Sequence, residues 1–134
     1  MLYIIPNDPC PLARARFVGR KVYDAQAAIK LHARICIESQ QGNTPPHKNI
    51  PLHLNVTFFM RLPQNKKLRN QYLRQHYHIF RNGGDLDNLL KMVCDVCNKV
   101  AYNDDCIISK ITAQKIYTDQ EPRTEFTLTP LKGE

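Results

Sequence analysis

The sequence contains no apolar run that approaches the ~20 residues needed to cross a bilayer, which excludes a transmembrane protein. It also contains no internal repeat and no low-complexity tract. The first residues carry no basic stretch and include two prolines by position 9, so we expect no secretory leader. The five cysteines are an odd number, which makes a disulfide framework unexpected and favours a reducing cytoplasm.

Acidic residues are the scarce charged class. The 134 residues include 19 Lys+Arg and only 12 Asp+Glu, which gives a formal net charge of +7. A small domain with this balance is attracted to polyanions. The alternative at this point is a globular protein that is basic without having a polyanionic partner.

The remaining composition is that of an ordinary globular protein, with 43% hydrophobic and 23% charged residues. Length and composition together predict a single domain over residues 1–134 with a core of its own. Local patterns predict an α+β fold, in which a small mixed or antiparallel sheet forms one layer and helices pack on one of its faces.

The clearest strand pattern covers residues 52–60, where apolar and mostly polar residues alternate strictly. Further strands are predicted at 2–5, 106–117 and 123–129. A helix is predicted over 25–40, with Asp24 as N-cap, Gly42 as the stop, and an apolar face that includes Ala28, Leu31 and Ile35. Residues 65–80 favour a basic amphipathic helix, or a helical insertion over 62–80, and residues 87–100 a helix with one core face.

Two short acidic clusters flank this last helix. Asp85 and Asp87 lie at its start, and Asp104 and Asp105 follow its end. Lys91 is four residues after Asp87 and therefore shares its face of the helix. If the returning strand passes beside the helix start, three or four carboxylates converge there with one lysine among them.

Converging carboxylates repel one another and need a compensating cation. Mg²⁺ takes oxygen ligands of this kind, and a metal bound to phosphate can assist its hydrolysis while a nearby lysine stabilises the transition state. The alternative is structural, because Asp87 can serve as an N-cap and Asp104-Asp105 can belong to a turn. The residues alone leave both interpretations open.

The sequence also resembles a known family. The run from Asp85 to Lys91 reads DLDNLLK, and it is followed by Asp95, Asn98 and the segment AYNDD at 101–105. This arrangement is similar to the signature of RusA-type Holliday junction resolvases, the crossover junction endodeoxyribonucleases. In that family a D-x-D-N-L-x-K run opens a helix, a D-A-L-N-G segment continues it, and a D-D pair follows. The resemblance extends to the basic segment 11–23 and to Lys115 with the final strand, and so covers most of the chain.

The resemblance implies a homodimeric, Mg²⁺-dependent endonuclease, with Mn²⁺ as a substitute metal, that makes paired symmetric cuts in four-way DNA junctions during recombination and repair. It implies no membrane and no small-molecule cofactor, a cytoplasmic location, and a bacterial, phage or prophage origin. By position, Asp85, Asp87 and Asp105 would bind the metal, Asp104 would be auxiliary, and Lys91 would be the catalytic lysine.

Two positions depart from the family pattern. Lys99 stands where the family has the glycine of D-A-L-N-G, and Gly84 stands where the family often has proline. Neither is a proposed metal ligand, so the departures concern the ends of the helix and the junction preference.

Basic residues outside the acidic motif are the candidate DNA contacts. The resemblance points to Arg14 and Arg16, whereas composition points to the segment before the acidic motif. There, Tyr72 or Tyr77 could pack on an unpaired junction base. The alternative is a solvated basic surface. The candidate phosphate contacts of this segment are Lys66, Lys67, Arg69 and Arg74.

Two further hypotheses compete with the nuclease. The first is a non-catalytic basic protein that binds DNA junctions and whose acidic residues only cap a helix. The second is a zinc site built from Cys94 and Cys97 with His76 and His78, a spacing that structural zinc permits. Against zinc, both cysteines lie inside a predicted helix, and Cys97 belongs to its apolar face.

Overall fold

A computed structural model describes residues 1–13, 16–19, 21–81 and 83–132, and the side chains of 16–18 and 21–23 lie outside this description. No helix within these ranges is long and apolar enough to cross a membrane. The predicted α+β class is confirmed. The strands are β1 (Leu2–Pro6), β2 (Arg16–Val18), β3 (Lys21–Tyr23), β4 (Leu52–Arg61), β5 (Ile108–Thr118) and β6 (Arg123–Pro130); the helices are α1 (Ala27–Gln41), α2 (Lys66–Gln75) and α3 (Leu86–Cys97).

The main sheet has four strands in the order β1-β6-β4-β5, and β2 and β3 form a separate antiparallel pair. β4 is parallel to β5 and antiparallel to β6, which makes the sheet mixed. The parallel pairing requires a long crossover between β4 and β5. That crossover contains α2 and α3, so the sheet topology itself brings α3 back to the start of β5.

The core lies between one face of β4 and the inner faces of α1 and α3. The alternation in β4 is confirmed, because its even-numbered residues are buried and their neighbours face outward. The predicted core face of α3 is confirmed for Leu89, Val93, Val96 and Cys97, which are all buried. Val100, also predicted for this face, lies beyond the end of the helix and is half-buried. The buried β4 residues are Leu52, Leu54, Val56, Phe58 and Met60.

The apolar face predicted for α1 is wrong. Leu31 and Ile35 are 58% and 54% exposed, whereas the buried residues of α1 are Ala33, Ile37 and Gln41. Polar contacts set this rotation, because the Gln40 side chain accepts from the Ile4 N–H and donates to the Ile4 carbonyl of β1, at 2.7 Å in each case. Helix periodicity alone does not identify which stripe faces the sheet when a second apolar stripe is present.

Both ends of α1 have clear physical causes. Asp24, the predicted N-cap, lies two residues before the actual N-cap, Gln26, and accepts a hydrogen bond from its backbone N–H. At the other end, Gly42 stops the helix as predicted, with a φ of +61° and an N–H that donates to the Glu38 carbonyl.

α2 is shorter than the predicted 65–80 helix. Its N-cap is Asn65, whose side chain accepts from two backbone N–H groups of the first turn. It ends at His76, which adopts a φ of +72°. The chain then turns along β5, where Tyr77 forms an isolated bridge with Ile116. The Tyr72 ring of α2 stacks on Tyr117 of β5, with ring centroids 5.2 Å apart, and so fixes the helix against the sheet.

Candidate active site

The first acidic pair lies at the N-terminus of α3. Asp85 is the N-cap residue, and its carbonyl accepts from the N–H of Leu89, but its side chain makes no capping hydrogen bond. Asp87 lies within the first turn, so the alternative that it is the N-cap is wrong. Asp85, Asp87 and Lys91 are all exposed. Carboxylates here are favoured by the positive end of the helix dipole and remain available to a ligand.

Two glycines determine where α3 begins. Gly83 and Gly84 have φ angles of +97° and +103°, a region that side chains rarely adopt. A Cβ on Gly84 would lie 2.7 Å from the Cβ of Pro11. Proline, frequent here in the family, requires a φ near −65° and therefore does not fit this backbone. The close contact with Pro11 places Asp85 against the N-terminal segment.

The second acidic pair lies after α3. Asp104 caps a short 3-10 turn (Asp105–Ile107) by accepting from the Cys106 N–H at 3.0 Å. This hydrogen bond and a second one between the Asp104 and Asp105 side chains lower the pKa of Asp104. The shared hydrogen bond, partial loss of solvent and the Asp104 charge raise the pKa of Asp105. The turn interpretation therefore accounts for Asp104, whereas Asp105 is held next to a like charge that a cation would neutralise.

The structure places the second acidic pair just after the second half of α3. The Tyr102 hydroxyl donates to the Cys94 carbonyl at 2.8 Å, which places the turn before Asp104 beside the second half of α3. Cys94 is seven residues beyond Asp87, a rise of about 10 Å along a helix. Over residues 1–13, 16–19, 21–81 and 83–132, no three His, Cys, Asp or Glu side chains form a group that could hold a metal.

The returning strand, β5, does pass the start of α3, but the side chain that it places there is a lysine and not an aspartate. The Lys115 ammonium of β5 donates to the Gly84 carbonyl at 3.1 Å and to the Phe80 carbonyl at 3.4 Å. Lys115 was indicated only by the family resemblance, because a single lysine in a strand gives no signal of its own. It joins β5 to the loop that carries Asp85, and it adds a positive charge beside the first acidic pair.

The donor chemistry of both pairs fits a hard divalent cation. Mg²⁺ is commonly held by one or two carboxylates together with substrate phosphates and water, rather than by a complete protein cage. Asp85 with Asp87, and Asp104 with Asp105, each offer such oxygen ligands. One chain therefore carries suitable ligands, although it does not assemble all three predicted metal-binding aspartates into one cluster.

The cysteine and histidine positions do not suit zinc. Cys97 is fully buried in the core, and burial raises the pKa of its thiol well above the usual range. Cys94 is half-buried on α3, and burial also raises its pKa. His78 packs against Tyr117 of β5, with ring centroids 5.1 Å apart. The apolar interpretation of Cys97 is confirmed.

The basic segment precedes the acidic motif directly. From Arg61 to Gly84 the sequence contains six Lys or Arg residues and no Asp or Glu. Lys66, Lys67 and Arg74 are exposed on α2, whereas Arg69 is half-buried and donates to the Pro63 carbonyl at 3.4 Å. Arg14 lies outside the described residues, and for Arg16 only the backbone of β2 is described.

Comparison with known proteins gives two matches. A family model described as "Endodeoxyribonuclease RusA" matches residues 6–129. A curated relative, the "Crossover junction endodeoxyribonuclease rusA" of Lactococcus phage r1t, is 35% identical over 83 residues, which cover 61% of this chain and 56% of that protein. The match thus spans little more than half of the relative's length. Both matches agree with the resemblance noted in the acidic motif.

Proposed function

The chain belongs to the endodeoxyribonuclease RusA family, and from that membership we propose that it is a metal-dependent endonuclease that resolves four-way DNA junctions. The observation that carries the proposal is the exposed acidic motif at the start of α3, which directly follows a segment of six basic and no acidic residues. An acidic site of this kind can hold a cation, while the basic segment holds the DNA backbone.

Each residue of the motif receives a role in this proposal. Asp85, Asp87 and Asp105 would hold Mg²⁺, for which Mn²⁺ could substitute, and the bound cation would polarise the scissile phosphate and neutralise its charge. Lys91, exposed four residues after Asp87, would place its ammonium against the phosphate as negative charge develops. Asp104 would be auxiliary, because it holds the turn that carries Asp105 by accepting from the Cys106 N–H. Hydrolysis would leave nicks with 5′-phosphate and 3′-hydroxyl ends.

The proposed assembly is a homodimer. Two copies related by a two-fold axis would present two acidic sites with the symmetry of a four-way junction, which suits paired symmetric cuts. The proposed setting is the cytoplasm of a bacterium, with the protein encoded by the bacterium or by a phage, as the phage relative suggests.

The proposal is tested with a synthetic four-way junction and a linear duplex that contains the same sequences. We expect cutting of the junction in Mg²⁺, paired nicks on opposite strands, and no cutting in EDTA or of the duplex. Junction binding without cutting in Mg²⁺ or Mn²⁺ would instead favour the non-catalytic junction-binding protein, for which the capping hydrogen bond that Asp104 accepts from the Cys106 N–H is the supporting observation.

Charge on α2 is expected to control the salt dependence of junction binding. Each phosphate contact contributes about −0.9 to the slope of log K against log salt concentration. Replacing Lys66 and Lys67 with alanine should therefore weaken binding and reduce the magnitude of the slope by about 1 to 2. The measurement is a titration of labelled junction in EDTA at several salt concentrations. The matched control is Lys48→Ala, an exposed lysine outside the basic segment, and an equal loss in this variant would contradict the assignment.

A further inference from the structure

An aromatic cleft lies between α2 and the end of β5. It has a volume of about 450 Å³ and an open mouth. Its floor is the stacked pair of Tyr72 and Tyr117, and the Phe80 ring lies edge-on to Tyr72 with centroids 5.3 Å apart. Phe80 itself is 43% exposed, in a segment without regular secondary structure. The cleft is lined by Arg61, Leu62, Pro63, Leu68, Tyr72, His78, Phe80 and Tyr117.

Two polar atoms in the walls of this cleft lack hydrogen-bond partners. His78 and Tyr117 are only 8% and 6% exposed, and neither His78 Nδ1 nor the Tyr117 hydroxyl has a partner among the residues that the structure describes. A buried polar group without a partner is costly, and such groups in folded proteins require an explanation. Within the described residues, two of the three side-chain atoms of this kind lie in this one cleft.

The two groups are uncharged near neutral pH. Burial, together with the Lys115 charge, lowers the pKa of His78, which keeps its imidazole neutral. Burial and the neighbouring Tyr72 raise the pKa of Tyr117, which keeps its hydroxyl protonated. A neutral imidazole and a phenol can bind an uncharged group that both donates and accepts hydrogen bonds. A phosphate would prefer the lysines and arginines outside the cleft.

The cleft adjoins both the basic segment and the acidic motif. Leu68 and Tyr72 come from α2, which carries the exposed lysines. On the other side, a Cβ on Gly83 would lie 3.9 Å from the His78 ring, and Lys115 donates to the carbonyls of Phe80 and Gly84. A DNA strand that follows the basic segment towards Asp85 would therefore pass the mouth of the cleft.

From these observations, we propose that this cleft binds one unpaired nucleobase at the branch point of the DNA. The inference rests on the proposed function and adds a base-binding subsite to it. The base stacks against the Phe80 ring, and its hydrogen-bonding edge meets His78 and Tyr117. Both polar atoms are covered in the free protein, so the cleft must open to admit the edge of the base.

The test compares two junctions in EDTA by fluorescence anisotropy. One four-way junction carries a single unpaired thymine at its branch point, and the other has an abasic nucleotide at the same place. We expect the wild type to bind the first about tenfold more tightly, because base–aromatic stacking has an effect of this size. Phe80→Ala should abolish the difference, and Tyr117→Phe, which keeps the ring stacking, should reduce it.

The comparison variant is Tyr77→Ala, which tests the alternative that Tyr77 packs on the unpaired base. Tyr77 is an exposed aromatic residue three positions before Phe80, at 56% exposure, but it does not line the cleft. This variant should keep the tenfold preference. Equal wild-type affinity for the two junctions, or an equal loss in Tyr77→Ala, would overturn the base site while leaving junction cutting untouched.

Failure of the proposed function would look different. A protein that binds the unpaired thymine but never cuts a junction in Mg²⁺ would retain the base site and lose the nuclease assignment. If the protein binds no junction, the cleft is tested by binding of a single-stranded thymine pentanucleotide. A tenfold weaker binding by Phe80→Ala than by wild type supports the cleft, and equal binding refutes it.

Discussion

Asp105→Asn is expected to lower the rate of junction cutting by about 10³-fold or more while junction binding is kept. The carboxylate of Asp105 is exposed and lies beside Asp104, a like charge that a bound cation would neutralise. Replacing it with an amide removes one anionic ligand and part of the transition-state stabilisation, for which losses of this order are typical. Binding should persist, since the substitution removes a negative charge from a surface that meets DNA.

The experiment measures single-turnover cutting in Mg²⁺ and junction binding in EDTA for the same variants. Asp87→Asn is expected to behave like Asp105→Asn, because the proposal gives both side chains a role in holding the metal. The matched control is Asp95→Asn, on the same helix, where the carboxylate instead meets Lys30 at 3.4 Å and Arg34 at 3.7 Å. Cutting by Asp105→Asn at the wild-type rate would remove Asp105 from the site.

Substitution of Asp104 distinguishes the role of a metal ligand from that of a residue that only positions one. Its side chain already accepts from the Cys106 N–H, so it has a structural role that Asp105 lacks. Asp104→Asn keeps an oxygen that can accept this bond, and it removes the like charge beside Asp105. Its loss of cutting should therefore be much smaller than that of Asp105→Asn.

The parts of the fold that the sequence predicted are those governed by local repetition. The strict alternation over 52–60 could only bury one face, and the structure buries it. The same holds for the α3 face, because Leu89, Val93 and Val96 follow helical spacing next to a helix start that the glycines delimit. Such patterns need no knowledge of the partner element.

The sequence is a poor guide to features that depend on contacts between residues distant in the chain. Leu31 and Ile35 form as good an apolar stripe as Ala33 and Ile37. Contacts with distant elements select the second stripe, among them those of Gln40 with β1 and of Lys30 and Arg34 with Asp95 of α3. The position of the second acidic pair is also set by contacts between distant residues. The chain between α3 and β5 folds back at Lys99, with a φ of +65°, and Tyr102 is buried against α3, so Asp104 and Asp105 remain near the C-terminal half of the helix.

The site residues show the same division. Asp85, Asp87 and Lys91 were recognisable because they belong to one short motif at the start of a predicted helix. The four-residue spacing of Asp87 and Lys91 puts these two on the same helix face. The cleft residues His78 and Tyr117 are 39 positions apart in the sequence and meet only because the chain after α2 runs along β5. No spacing rule connects them, and the aromatic content of residues 72–80 was the one available signal.

Gly84→Ala is expected to destabilise the protein and to impair cutting together. Alanine at this position would have to adopt a left-handed φ of +103°, and its Cβ would lie 2.7 Å from the Cβ of Pro11. Backbone strain at such a position is about 1–2 kcal/mol, and forced overpacking adds about 1–3 kcal/mol. Relief by movement of the loop would shift Asp85, the next residue, so cutting per folded molecule should fall as well.

Gly42→Ala is the matched control for this substitution, measured by urea unfolding with the cutting rate corrected for the folded fraction. Gly42 also has a positive φ, at +61°, but no described atom lies within 4 Å of its added Cβ. It should therefore lose only about 1–2 kcal/mol of unfolding free energy from strain, and its cutting rate should be unchanged. If the two variants lose equal stability and equal activity, the contact with Pro11 does not position Asp85. If Gly84→Ala alone loses activity, the close packing of Gly84 on Pro11 is part of what holds the acidic motif in place.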